Sequence, residues 1–309
     1  MNDSSVHKGE IKQLTLFSLT FGAVLISFSG VWVKVANVAP NVSAFYRVFI
    51  GGVTLLAAAL YRRELRWPGA RHLLLSLLCG LLLALDLWLY HYSIRYIGPG
   101  LGTILPNFQV FILAAAGILV FREPVRLIYL ISLPLAFVGL FMIVGLNWSQ
   151  LEPTYRIGVI YGLAAAVCYA GFLLSLRKLQ AAQMGTSFFY VLMLVSLTTA
   201  AFLGADVVFR RGSLQVPDIQ SLLALAALGL LSHTVGWILI TNALPKMRAS
   251  LSGLILLLQP ALAFVWDVLF FQRPTTPVNW LGVTIALIAI YMGMARQTEN
   301  PLSDTELDA

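Results

Sequence analysis

Apolar residues occur in long blocks along this chain, separated by short clusters of glycine, proline and charged residues. A helix needs roughly 20 apolar residues to cross about 30 Å of hydrocarbon. Ten blocks approach that length: Leu14 to Lys34, Val42 to Tyr61, His72 to Tyr96, Gly100 to Phe121, Leu127 to Leu146, Gly158 to Leu176, Ser187 to Phe209, Ile219 to Leu244, Leu251 to Phe271 and Val278 to Ala295. The pattern predicts an all-α membrane protein with ten transmembrane helices. Turn residues punctuate the connections at Pro40-Asn41, Trp67-Pro68-Gly69, Gly98-Pro99-Gly100, Glu152-Pro153 and Arg273-Pro274. The first block follows Lys8 and Lys12 as a secretory leader would, but it is too long for one and no small-residue cleavage site follows convincingly.

The stretch from Asp86 to Pro124 returns 150 residues later, with Leu101 falling on Leu251, Gln109 on Gln259 and Pro124 on Pro274. A weaker echo sets Ser43-Ala-Phe-Tyr46 against Ser187-Phe-Phe-Tyr190. The chain is therefore a duplication: residues 14–146 and 158–295 form two five-helix halves, with 1–13 and 296–309 as polar ends and 147–157 as an outer connector. Five crossings per half is an odd number, so the second half enters the membrane from the opposite side. Inverted repeats of this kind are a recurrent plan for secondary carriers, with the site near mid-membrane between the halves.

Composition agrees with a lipid environment, since 59% of residues are hydrophobic and only 11% charged, against roughly a quarter charged in soluble domains. The net charge of +7 does not form a nucleic-acid surface, because the basic residues sit singly or in pairs between apolar blocks. Thirteen of them fall on the face that holds the N-terminus and six on the other. The excess of Lys and Arg predicts cytoplasmic termini, most simply in a bacterial inner membrane. Cys79 and Cys168 lie inside apolar blocks without metal or disulfide spacing.

Polar groups inside a membrane helix mark cavities or one another. Asp86, Tyr90 and Ser93 fall on one stripe of the third helix, with Trp88, His91 and Arg95 facing away. His233, Trp237 and Thr241 form a similar stripe in the eighth. Asp86 and His233 thus approach one central space, where they either line a pathway and exchange protons with it or hydrogen-bond within the bundle. Gly100, Thr103 and Asn107 share a stripe in the fourth helix, as do Ser252, Gln259 and Trp266 in the ninth. Pro106 and Pro260 free backbone carbonyls there and are candidate hinges. Arg47, one turn below the outer surface with Ser43, Gly51 and Thr54, either snorkels or holds a solute anion by paired hydrogen bonds. Asp267 is placed to pair with Arg273 or to meet solute. Trp67, Trp148 and Trp280 read as interfacial belts, while Tyr46, Trp88, Tyr90, Tyr169, Trp237 and Trp266 are deeper and could build an apolar wall around a small organic solute or simply pack.

The Phe45-Tyr46-Arg47 step, the Thr103 to Pro124 run ending in Arg122-Glu123-Pro124, and the Ser250 to Pro274 run containing Leu258-Gln259-Pro260 together resemble EamA-type transporters of the drug/metabolite transporter superfamily. The resemblance spans roughly residues 14 to 295. It implies a membrane transporter without cofactor, moving small amphipathic metabolites such as amino acids, in the export direction. It departs at Gln272-Arg273, where an acid is common, and at Ser29-Gly30, where Trp-Gly is usual. Lacking a twin, Glu123 is expected to pair at the interface with Arg122 or Arg126. No hydrolase elbow, zinc motif or phosphate-gripping loop is present, so the expected partners are a small-molecule solute, membrane lipid and protons. The alternative is an intramembrane enzyme acting on a lipid-like substrate, with Asp86 and His233 as acid and base.

Overall fold

The computed structural model describes residues 3–65, 69–123, 127–144, 153–181, 188–210, 212–272 and 274–295. Trp67, Pro124, Arg126, Trp148, Arg273 and the 296–309 tail lie outside the described residues, as do the side chains of Arg95 and Thr103. The helices are α1 (Asp3–Ser27, continuing as Ser29–Ala36), α2 (Pro40–Tyr61), α3 (Ala70–Ile104), α4 (the 3-10 turn Leu105–Phe108 and Gln109–Leu119) and α5 (Leu127–Val144) in the first half. The second half has α6 (Pro153–Ala181), α7 (Phe188–Phe209), α8 (Ile219–Ala227, a π-helical Leu228–Val235, and Gly236–Ala243), α9 (Ala249–Leu256 and Leu258–Phe271) and α10 (Pro277–Ala295). The described residues contain no strand.

Two boundaries differ from the sequence pattern. Polar residues from Asp3 onward extend α1, and α6 begins at Pro153, within the expected connector. Seven helices are long and apolar enough to cross a membrane by themselves, whereas Leu105–Leu119, Leu127–Ile143 and Pro277–Gly293 are apolar but shorter. The ten expected helices are thus present, seven of spanning length and three shorter among the described residues. At 1.5 Å per residue the short ones rise less than about 27 Å.

The Gly98-Pro99-Gly100 turn is present although the backbone stays helical through it. Ser93 and Leu105 both lie within 2.8 Å of where a Cβ on Gly162 would stand. A straight helix would hold them roughly 18 Å apart. The chain therefore doubles back between them. Proline cannot donate the next helical hydrogen bond and glycine tolerates the bend.

The two halves are related by inversion. Gly52 packs on Leu197 while Gly204 packs on Phe45, so α2 and its counterpart α7 run antiparallel. In α5 and α10, Gly139 abuts Gly282 and Ala286, and Asn279 donates to the Met142 and Ile143 carbonyls at 3.1 and 3.0 Å. The pairing of α3 with α6 is matched by that of α8 with α1, as exchange of the halves requires. Lipid gives no hydrophobic drive between helices, so such contacts rest on small residues that let backbones approach. Meanwhile Leu74, Ile160 and Leu223 remain more than 60% exposed, on surface that lipid covers.

Ends are closed locally. Asp218 caps α8 by accepting from the Ser221 backbone N–H at 2.7 Å, and that bond holds its carboxyl below the ordinary carboxylate range. A depressed folded pKa contributes stability above the unfolded value that is lost as pH falls; Asp218→Ala should remove that acid-side slope in detergent unfolding curves. Arg122 and Gln272, equivalent under the repeat, both end their helices in the left-handed region at φ 50°.

Gly139→Val should lower stability by about 1–3 kcal/mol, the usual cost of overpacking, because its Cβ would stand 2.6 Å from the Gly282 carbonyl. Gly171→Ala, with only ordinary contacts to Leu82, should leave the melting temperature of the purified protein in detergent unchanged.

Candidate functional site

Two connected cavities occupy the space between the halves. The deeper one, about 260 Å³, is lined by Ser27, Arg47, Asp86, Tyr90, Pro106, Asn107, Tyr169, His233, Trp237, Gln259 and Pro260, among others. It opens through Ser29, Gly30, Arg47, Leu87 and Tyr90 into a mouth of about 640 Å³, lined also by Asn41, Trp88, His91, Asp206 and Arg210. The mouth lies at the end of the bundle where α2 begins and α7 ends. Asp86 sits 16 residues after the start of α3 and 11 before Ile97, near the middle of the bundle.

The backbone explains why these side chains converge. Pro260 removes the N–H that would bond the Leu256 carbonyl, and α9 breaks at Leu257. Pro106 stands inside the 3-10 turn that begins α4. The candidate hinges therefore coincide with irregular backbone on the cavity wall. In α8 the π turn shifts His233 out of α-helical register; Thr234 Oγ1 reaches the Gly229 carbonyl five residues back at 2.8 Å. His233 packs against Gly51, where a Cβ would stand 2.3 Å from the imidazole, and its Nε2 is 2.9 Å from Ser196 Oγ. So His233 both borders the cavity and makes an internal hydrogen bond. Among the described residues no hydrogen bond or ion pair reaches the Asp86 carboxylate, and no carboxylate lies within 4 Å of Arg47. Both belong to the cavity wall.

Several residues stand elsewhere than their helical stripes suggest. Thr241 is fully buried with no partner for its hydroxyl and lines neither cavity; it lies two turns beyond His233, past the cavity floor. Trp266 is also off the wall: its indole N–H donates to Ser27 Oγ at 2.7 Å and its ring stacks on Phe28 at 4.4 Å, bracing the break in α1. Trp88 and His91 do not face away but line the mouth, because the cavity is wide enough to expose two sides of α3. Ser93 instead donates to the Gly158 carbonyl at 2.9 Å, where α3 meets α6. Tyr46 donates to Leu214 O at 2.7 Å, tying α2 to the segment before α8.

Two ion pairs link distant parts of the chain, while the Arg273 expected beside Asp267 lies outside the described residues. Asp267 pairs with Lys34, whose ammonium lies 4.5 Å from the Phe271 ring. Glu123 is buried, accepts from the Ala249 N–H at 2.7 Å and from Ser250 Oγ at 2.7 Å, and pairs with Arg177 at 3.3 Å. It is not an exposed interfacial partner of Arg122.

The sequence matches the EamA-like transporter family over residues 13–145 and 156–294, one match for each half. The chain belongs to that family. It is an integral, multi-pass membrane transporter for a small-molecule solute and not an enzyme, so the intramembrane-enzyme alternative is set aside. Among solved structures, 29 chains are similar; one, described as "Crystal structure of protein", is 18% identical, covers 94% of this chain and 99% of its own, and has a TM-score of 0.76. That likeness is one of fold. No curated protein matches the sequence.

Tyr169, expected among the deep aromatics that could wall a solute, lines the deeper cavity of this transporter. Two further pairs at the site were not among the residues expected to line it. Ser29 and Gly30, noted for departing from the family pattern, form the neck. Asp206 and Arg210, paired at 2.8 Å across one helical turn at the mouth, carried the visible signal of opposite charges four residues apart; that bond keeps the Arg210 guanidinium above its ordinary range.

Ser196→Ala would leave His233 Nε2 without its partner. The expected loss is about 1–3 kcal/mol, the cost of an unsatisfied buried polar group, read by thermal unfolding in detergent. An unchanged midpoint would mean that cavity water replaces the hydroxyl.

Proposed function

We propose that this transporter is a secondary carrier of zwitterionic small metabolites of amino-acid type, working by alternating access around the deeper cavity. One observation supports this most: Arg47 and Asp86, opposite charges from two helices that attract each other across the space, border the same cavity without a direct ion pair or hydrogen bond to each other or to other described groups. Burying an unpaired charge is costly in a low-dielectric interior. A solute carrying both signs relieves both, its carboxylate on the Arg47 guanidinium through paired hydrogen bonds and its ammonium on Asp86. The unpartnered Ser29 Oγ, Gln259 Nε2 and His233 Nδ1 add polar contacts from both halves, and Tyr90, Tyr169 and Trp237 surround the solute's apolar part. A volume near 260 Å³ suits one small solute rather than a lipid.

The excess of Lys and Arg at the opposite end of the bundle supports assigning the open mouth to the outer face, with both termini in the cytoplasm of a bacterial inner membrane. The conformation is then outward-open, the releasing state of an exporter. Asp86 is the group through which a proton is exchanged during the cycle, with His233 beside it. Absence of a nucleotide-gripping motif favours gradient-driven movement.

Purified protein in liposomes loaded with a radiolabelled amino acid mixture should show saturable efflux that external unlabelled solute accelerates; strictly linear, non-exchanging flux would sink the carrier. Arg47→Ala should weaken the solute by about 10- to 100-fold, the worth of a charge-assisted hydrogen bond of roughly 1.5–3 kcal/mol. Asp86→Asn should abolish the pH dependence of exchange. If the deaminated carboxylic acid competes as well as the amino acid, Asp86 does not hold the ammonium group.

A further inference from the structure

The end of the bundle opposite the mouth is sealed, and the seal has an unusual composition. Below Pro106 and Pro260, α4 and α9 pack directly on each other: Gly253 meets Leu113 and Val110, and Gly117 stands beside Ser250. Every residue from Ala249 to Leu256 is buried. At the bottom, the Glu123 carboxylate from the first half takes three donors at the start of α9 in the second: the N–H groups of Ala249 and Ser250 at 2.7 and 3.3 Å and Ser250 Oγ at 2.7 Å. Arg177 of α6 completes it at 3.3 Å while lying over the Phe121 ring at 4.6 Å. Gly117 leaves room for the acid, since a Cβ there would stand 2.5 Å from Glu123 Oε2. The start of a helix presents unbonded N–H groups and a partial positive charge, so one carboxylate joins both halves at a single point.

A second observation comes from the top of the sealed region. Gln109, which begins the α4 segment packed on α9, is fully buried and neither end of its amide finds a partner. It lines neither of the two cavities described above. Unsatisfied buried polar groups disfavour the closed packing, and water reaching them would remove that cost. A purely structural seal has no use for them.

We propose that Glu123 is the latch of an inner gate, and that the route it shuts runs between α4 and α9 past Gln109. Glu123 is a positioning residue: it touches no solute and sets which side of the membrane the cavity faces. Release of its carboxylate from Ala249, Ser250 and Arg177 leaves, among the described residues, only the Tyr129 hydroxyl on the Ser250 carbonyl, and lets the lower part of α9 swing about Leu257 and that of α4 about the Leu105–Phe108 turn, which wets Gln109. Glu123 has no like counterpart at the mouth, so the two gates are unlike. The position equivalent to Glu123 in the second half is Arg273, and the mouth is instead bordered by the Asp206–Arg210 pair within one helix. This inference rests on the alternating-access reading above.

The test places a reporter thiol in the route. In a Cys79→Ala, Cys168→Ala background, Gln109→Cys is labelled by a membrane-impermeant charged maleimide in right-side-out and inside-out vesicles. With Glu123 intact the thiol should react slowly from both sides. Adding Glu123→Ala should raise the rate at least tenfold from the cytoplasmic side only, and Glu123→Gln should give an intermediate rate. Should Glu123→Ala not assemble, Arg177→Gln, which removes only the ion pair, should give about a threefold increase. An unchanged rate, or an increase from the outer side, would overturn the latch. Exchange assayed in the same vesicles separates the two ideas: saturable exchange without a labelling change removes the latch alone, and a labelling change without saturable exchange removes the carrier reading and leaves the gate.

Discussion

Inside hydrocarbon no water is available to the backbone, so every N–H and C=O must be satisfied within the protein, and irregular backbone is tolerated only where protein or a cavity surrounds it. The placement of the breaks in this chain obeys that constraint closely. The kink at Phe28 is flanked by Ser27 and Ser29, the 3-10 turn holds Pro106 and Asn107, the π segment holds His233, and the break at Leu257 precedes Gln259 and Pro260. Ser27, Ser29, Pro106, Asn107, His233, Gln259 and Pro260 all line the deeper cavity. Interrupted helices from both halves thus create one polar space, and the rest of the bundle is the regular structure that supports it.

The supporting structure is built for close approach. Gly139 against Gly282, and Gly22 against Gly236, bring backbones from opposite halves together, as helix association in lipid requires. Polar ties sit between them at the ends: Asn279 on the α5 carbonyls, Tyr129 on the Ser250 carbonyl at 3.0 Å, Glu123 on the start of α9. Contacts that are dense at one end and open at the other make the bundle asymmetric across the membrane, although its halves are near-copies. In a duplicated carrier the exchange of these two arrangements is the transport cycle we propose, and an asymmetric latch would bias which arrangement is stable without solute.

Much of the site was legible because intramembrane polarity is rare. Arg47, Asp86, Tyr90, Asn107, His233, Trp237, Gln259 and the two prolines were singled out on that ground and stand around one cavity. Thr241 and Trp266 were chosen by the same helical period and stand off the wall. The period assumes regular α geometry, and both follow a break: Thr241 comes after the π segment, Trp266 after Leu257. A break rotates and tilts everything beyond it, and a sequence of apolar residues carries no mark of a π turn.

By itself the sequence determined the solvent, the duplication, the inversion and the family, because these depend on composition, on block length and on the parity of five crossings. It also settled which residues are too polar to face lipid. Tertiary structure alone decided their partners. Glu123 found a helix start 126 residues away, Asp267 found Lys34 of the first half, and His233 found Ser196. Charge and hydrogen bonding act over a few ångströms of space, and in a bundle woven from two inverted halves the nearest group in space is seldom near in the chain.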